Sequence, residues 1–300
     1  MQKPLIGVTT GDPKGIGPEI VALALKDPEI QSLAEFKIFG PLAEFAAPGA
    51  PEALIRALIS DPRMDDLVAA QTALHSLDEA VQSALSKEIQ VMVTAPVNKS
   101  RLRLADKHFT GHTEFLAAKC NAKVTALFVA KNWRVATVTR HLPLSQVSIK
   151  LNAVDILQTL RQTSEALQNH FKILEPRLAV AGLNPHAGES GMLGDEEQKI
   201  ILPAIVQARK EGITIDGPLS ADTLFWQMTQ GKYDAVVAMY HDQGLIPIKT
   251  LAFKEAVQLT LGLPFLRVSV DHGTAEELVG TGKADPSNLK AAIRLACQLS

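Results

Sequence analysis

Leu5-Ile6-Gly7-Val8-Thr9-Thr10-Gly11-Asp12-Pro13-Lys14-Gly15-Ile16-Gly17-Pro18-Glu19, running on into Ile20-Val21-Ala22-Leu23-Ala24-Leu25, decides the fold. A short apolar run, a glycine-rich turn and an apolar helical pattern follow one another. Residues 5–10 read as a buried strand and 15–25 as a helix opening on the turn. The alternation recurs. Strands are expected at 36–39, 89–94, 125–130, 134–139, 177–182 and 234–239, and helices at 77–87, 154–171, 195–211 and 287–299. Strands separated by helices imply βαβ units, a mostly parallel sheet and an α/β fold. Such sheets bind ligands beyond the carboxyl ends of their strands. Residues 43–62, rich in Ala and Pro, read as a surface region.

Composition excludes several classes. The net charge of −2 offers no long-range attraction to nucleic acid or an anionic membrane, so an anionic ligand needs a local cationic site. Cys120 and Cys297 lack C-x-x-C spacing, which argues against a disulfide framework or a thiolate zinc site and fits a reducing cytosol. No signal-peptide pattern and no apolar run of membrane-spanning length stands out, so a cytoplasmic location is expected.

The polar segments after the strands hold the groups capable of chemistry. His141, His186 and His241 each follow an apolar run, and three neutral imidazoles with an open position would suit a catalytic transition metal. Hydrogen-bonded loop histidines are the plain alternative. His75 and His170 read as helix-surface residues. The turn around Gly15 could admit an anion to backbone N–H groups or be an ordinary βα turn; it is not G-x-G-x-x-G. Thr113 could cap a helix or, with His112, contact a phosphate, and capping is the simpler reading. Lys249 and Arg267 interrupt apolar sequence, so each needs a partner: a ligand anion or an internal carboxylate. The turn-rich stretch 272–286 could wrap a cofactor or be a connection.

Seven motifs taken in order narrow these choices. They are TGDPKGIGPE at 10–19, TAPVNK at 94–99, GHTEF at 111–115, HLPL at 141–144, GLNPHAGE at 182–189, YHDQGL at 240–245 and LGLPFLRVSVDHGTA at 261–275. Together they resemble the 4-hydroxythreonine-4-phosphate dehydrogenase family over nearly the whole chain. The resemblance implies the isocitrate/isopropylmalate dehydrogenase-like fold, with two α/β/α lobes and a cleft between them. The lobes are expected at 1–110 plus 268–300, carrying the cofactor loop, and at 111–267, carrying metal ligands and dimer contacts.

The resemblance implies His141, His186 and His241 as ligands of one divalent ion (Zn, Co or Mg). It implies substrate contacts at His112, Thr113, Lys249, Arg267 and Gln258, where Gln stands in place of the family's Asn. Lys249 and Asp242 are the catalytic candidates. Gly15, His272, Gly273, Thr274, Gly282 and Asp285 are the candidates around NAD or NADP. The implied reaction oxidises 4-phosphooxy-L-threonine at C3 and decarboxylates the product to 3-amino-2-oxopropyl phosphate, in pyridoxal 5'-phosphate biosynthesis. The implied assembly is a homodimer with a shared active site, taking a small phosphorylated hydroxy acid and no nucleic acid or membrane. Alternatives are a dehydrogenase of 4-phospho-D-threonate or 4-phospho-D-erythronate, an NAD-independent metal hydrolase or lyase, and a non-catalytic phosphate binder.

Overall fold

The computed structural model describes residues 3–40 and 63–300, and the 43–62 surface expectation lies outside the described residues. In chain order the elements are β1 (Leu5–Thr9), α1 (Gly17–Leu25), α2 (Pro28–Leu33), β2 (Glu35–Phe39), α3 (Asp66–Leu85), β3 (Val91–Thr94), α4 (Lys99–Leu102) and α5 (His112–Lys119). There follow β4 (Thr125–Ala130), β5 (Trp133–Thr137), α6 (Leu144–Lys150), α7 (Ala153–Asn169), β6 (Arg177–Ala181), a 3-10 segment at Pro185–Gly191 and a π-helical turn at Glu197–Ile201. The chain continues with α8 (Leu202–Lys210), β7 (Thr214–Leu219), α9 (Ala221–Thr229), β8 (Ala235–Ala238), α10 (His241–Ala252), β9 (Val257–Leu261), β10 (Leu266–Val270) and α11 (Ser287–Leu299).

Local chemistry sets the helix starts. Asp65 caps α3 by accepting from Leu67 N and Val68 N at 2.9 and 3.2 Å, and Asn152 caps α7 through Asp155 N at 2.9 Å. Asn98 does the same for α4 through Arg101 N at 3.1 Å. Pro18 stands in the first turn of α1, where its missing N–H costs nothing.

The chain forms two compact units, 1–124 with 257–300 and 125–256. In the first, the strand order is β2-β1-β3-β10-β9, parallel except for β9 against β10. Its core packs Leu77, Val81, Met92, Leu102, Phe109 and Leu116 together. In the second, the order is β4-β5-β8-β6-β7, parallel except for β4 against β5. Phe128, Val135, Leu224, Val236, Leu245 and Ile248 are central to its core. Each burial of such a side chain contributes roughly 1.5–3 kcal/mol.

The expected mostly parallel arrangement is observed, with antiparallel pairs at β9–β10 and β4–β5, and other expectations need correction. Lys131 adopts φ 56°, which lets Lys131 and Asn132 alone turn β4 back onto β5. Unit boundaries placed at 110 and 268 fall inside the first unit, because β9 and β10 pair with each other and β10 pairs with β3. The helix expected at 77–87 begins eleven residues earlier, at Asp66, and the one expected at 195–211 opens on the π-helical turn. His75 is exposed, as expected, but His170 ends α7 half-buried.

Candidate active site

In the first unit the ends of β3, β9 and β10 and the start of α5 surround one cation. Arg267, on β10, is 1% exposed. Its Nε and Nη2 donate to Thr94 Oγ1 at 3.1 and 2.6 Å, and Nη1 donates to Thr260 Oγ1 at 3.0 Å. Both partners are neutral hydroxyls, set by register: Thr260 lies opposite Arg267 on β9, and Thr94 ends β3 beside β10. Burial pushes the Arg267 guanidinium down to about 9, against the pull of nearby Glu114, so it remains a cation at neutral pH. A buried charge without a hydrogen-bonded carboxylate costs several kcal/mol, which an incoming anion would offset.

His112 and Thr113 occupy the first turn of α5. Gly111, at φ 155°, is the cap residue, and it makes no side-chain cap bond. Thr113 is therefore not the cap; its buried hydroxyl accepts from Gln258 Nε2 at 3.2 Å. The Gln258 side chain thus reaches the helix start on which Thr113 stands. Burial, then the charges of Arg267 and Lys99, hold His112 well below its usual pKa, so its imidazole is neutral at pH 7. Phe109 packs edge-on against the ring at 6.4 Å. A helix N-terminus, a neutral imidazole, a hydroxyl, an amide and a buried guanidinium suit an oxyanion.

The stretch 272–286 is tied to the β1–α1 turn. Ile16 N donates to Thr274 O at 2.9 Å, and Gly280 N donates to the Glu19 carboxylate at 2.7 Å. A Cβ on Gly15 would stand 2.8 Å from Thr274 Cβ, so Gly15 provides the close approach of the two segments. Arg101 locks the junction: it donates to Asp12 at 2.5 Å, to Asp66 at 3.0 Å and to Glu276 at 2.7 Å. These carboxylates hold the Arg101 guanidinium above its usual pKa despite burial. His272 contacts Gly273 O through Nδ1 at 2.9 Å, and Asp285 accepts from Ser287 N at 3.0 Å at the start of α11. Gly273, Gly280 and Gly282 face open space, an unobstructed backbone surface on which a cofactor could lie.

The second unit holds the imidazoles. His241 starts α10 directly after β8, with the ring centroid of His141 5.8 Å away. Two imidazoles sharing a tetrahedral ion, with bonds near 2 Å, have centroids about 5 Å apart. His241 Nδ1 meets Asp242 Oδ1 at 2.6 Å, an arrangement that fixes the ring and leaves Nε2 for a metal. Gly244 brings α10 against the sheet, since a Cβ there would lie 2.9 Å from Val135 Cγ1. Two turns along the helix Lys249 stands 5.9 Å from the Phe253 ring, on a shallow groove that also includes His241, Asp242 and Ile246.

His186 is separate. It stands on a run from 186 to 190 with φ of 51°, 52°, 78°, 44° and 58°, of which only Gly188 is glycine. Left-handed backbone costs about 1–2 kcal/mol for each non-glycine residue. His186 is two-thirds exposed, 3.9 Å from Glu189. Among the described residues no group of three His, Cys, Asp or Glu side chains gathers as a metal site. The chain brings together His141, His241 and Asp242, and in the other unit His112, Thr113, Gln258 and Arg267.

Residues 30–296 match the family described as pyridoxal phosphate biosynthetic protein PdxA. The chain belongs to this family. It is 43% identical to the 4-hydroxythreonine-4-phosphate dehydrogenase of Desulforapulum autotrophicum, over 98% of this chain and 95% of that protein. The crystal structure of 4-hydroxythreonine-4-phosphate dehydrogenase from Klebsiella pneumoniae superposes with a TM-score of 0.86 at 33% identity, covering 99% of each chain. Isocitrate dehydrogenase from Methylococcus capsulatus shares the fold, at TM-score 0.51 and 14% identity over 98% of this chain and 85% of that one. The expected family and fold class therefore stand. PdxA membership places the chain among oxidoreductases of pyridoxal phosphate biosynthesis.

Proposed function

We propose that this PdxA-family chain oxidises 4-phosphooxy-L-threonine at C3 and releases CO₂, giving 3-amino-2-oxopropyl phosphate. The observation that carries the reading is Arg267, a buried guanidinium whose hydrogen bonds among the described residues go to the hydroxyls of Thr94 and Thr260, beside a neutral His112 at a helix start. That pocket suits a phosphate or carboxylate. Arg267 would hold the anion, and Thr113, Gln258 and His112 would fix its orientation.

His141 and His241 would hold a divalent ion, with Asp242 orienting His241 through Nδ1. Since His186 does not join them within one chain, a second copy would supply it, in a cytoplasmic homodimer with shared sites. NAD⁺ and the ion, when bound, supply the hydride acceptor and the Lewis acid. Residues 272–286 would carry the cofactor on the backbone around Gly273, Gly280 and Gly282. Lys249 is the chain's proton-transfer group for the C3 hydroxyl, whose proton leaves as the hydride does.

The test follows NADH absorbance with purified protein, NAD⁺, a divalent ion and 4-phosphooxy-L-threonine. Chelator-sensitive NADH formation is expected. Formation only from 4-phospho-D-threonate or 4-phospho-D-erythronate would move the substrate, and silence with all three would overturn the reading.

A further inference from the structure

The strained turn that carries His186 is closed from inside by a carboxylate to which the proposed reaction assigns no role. Glu197 is 3% exposed. Its Oε1 accepts from Leu183 N and Asn184 N, both at 2.7 Å, and its Oε2 accepts from Asn184 Nδ2 at 3.0 Å. The carboxylate lies against the left-handed run at Gly188, where a Cβ would fall 2.6 Å from Oε2. Glu197 also opens the π-helical turn Glu197–Ile201, the kind of helical irregularity that recurs at functional sites. Backbone bonds from Ala187 N to Asn184 O (3.2 Å) and from Leu193 N to Gly188 O (3.1 Å) close the turn's two ends.

Strained backbone persists where its surroundings over-determine it, and such strain concentrates at sites that need a fixed side chain. We propose that Glu197 is the positioning residue for His186: by gathering the N–H groups of Leu183 and Asn184 and lying against Gly188, it holds the left-handed turn that presents the imidazole. The inference rests on the reading of His186 as a metal ligand. Glu197 touches neither ion nor substrate; it acts through the backbone. Asn184 extends the pin, since its amide nitrogen also donates to Glu196 at 2.8 Å.

The test uses the full-length protein, with Co²⁺ as the probe metal, and Glu197→Ala and Glu197→Gln variants. Cobalt is titrated by its absorption spectrum, backbone exchange is followed over 183–193, and KM for NAD⁺ is measured. Glu197→Ala is expected to weaken Co²⁺ binding about 10- to 100-fold, as loss of an outer-shell partner does, and to speed amide exchange at 186–191. KM for NAD⁺ should not move, which separates positioning from general loss of structure. Glu197→Gln keeps one carbonyl oxygen for the two backbone donors and should restore most of the Co²⁺ affinity. A folded Glu197→Ala protein with wild-type Co²⁺ affinity and wild-type exchange overturns the proposal. If Glu197→Ala does not fold, Asn184→Ala, which removes the facing donor, is read in the same way. If the wild-type protein binds no Co²⁺, the metal reading fails, and the exchange arm alone decides whether Glu197 holds the turn.

Discussion

The Arg267 pocket and the His141–His241 pair solve opposite problems. Arg267 is buried in the first unit, with each guanidinium nitrogen on a threonine hydroxyl set by strand register. His141 is exposed and His241 partly exposed at a surface of the second unit, with His186 elsewhere on a strained turn. An anion site gains from burial because low dielectric strengthens every bond to the charge. A metal site shared between copies, as proposed, would stay open until the copies meet. One half of the proposed machinery is therefore complete in a single chain, and the other is left incomplete by it.

Three substitutions or conditions break this comparison in different places. His186→Ala should have the largest effect: turnover falls at least about 1000-fold as a ligand is lost, while far-UV circular dichroism and NAD⁺ binding stay unchanged. Retained turnover would remove His186 from the site. Arg267→Met comes next. KM for the phosphorylated substrate should rise about 100-fold, as when one partner of a buried charged pair is truncated. The same variant without ligand should melt about 2 °C or more higher, because a buried charge hydrogen-bonded to neutral hydroxyls is gone. A lower melting temperature would show that Arg267 mainly braces the fold. The smallest effect concerns His112. Its folded pKa lies below the unfolded value near 6.5, so below that pH the unfolded chain binds the extra proton and stability falls. The unfolding free energy should drop by up to about 1.4 kcal/mol per pH unit on acidification, less steeply in His112→Gln, as measured by urea titration. Identical slopes in both proteins would place His112 outside the buried pocket.

What the sequence revealed follows from its local chemistry. The strand at 125–130 and the helix at 287–299 were legible to the residue, the first as an unbroken apolar run and the second by its 3.6-residue period. β9 and β10 were not, because Gln258, Thr260, Arg267 and Ser269 interrupt their apolar pattern; Gln258, Thr260 and Arg267 are polar because they build the site. α10 was hidden by Gly244 and Pro247, two residues that argue against a helix interior. The histidines stood out by rarity at strand ends. Glu197 and Arg101 did not: each lies next to other charged or polar residues, and such a stretch reads as solvent-facing until the fold buries it. The clustering of His112, Thr113 and Gln258 around Arg267 depends on register across three strands, information that no single segment carries.

The most direct test of the account is subunit complementation. His186→Ala and His241→Ala proteins, each inactive alone, are mixed under conditions that exchange subunits, and NADH formation is measured. If His141 and His241 of one copy work with His186 of the other, half the dimers are mixed and each carries one intact site, so activity returns to about a quarter of wild type. No recovered activity, with mixed dimers demonstrated by copurification of two tags, would contradict the claim that the two copies complete one metal site.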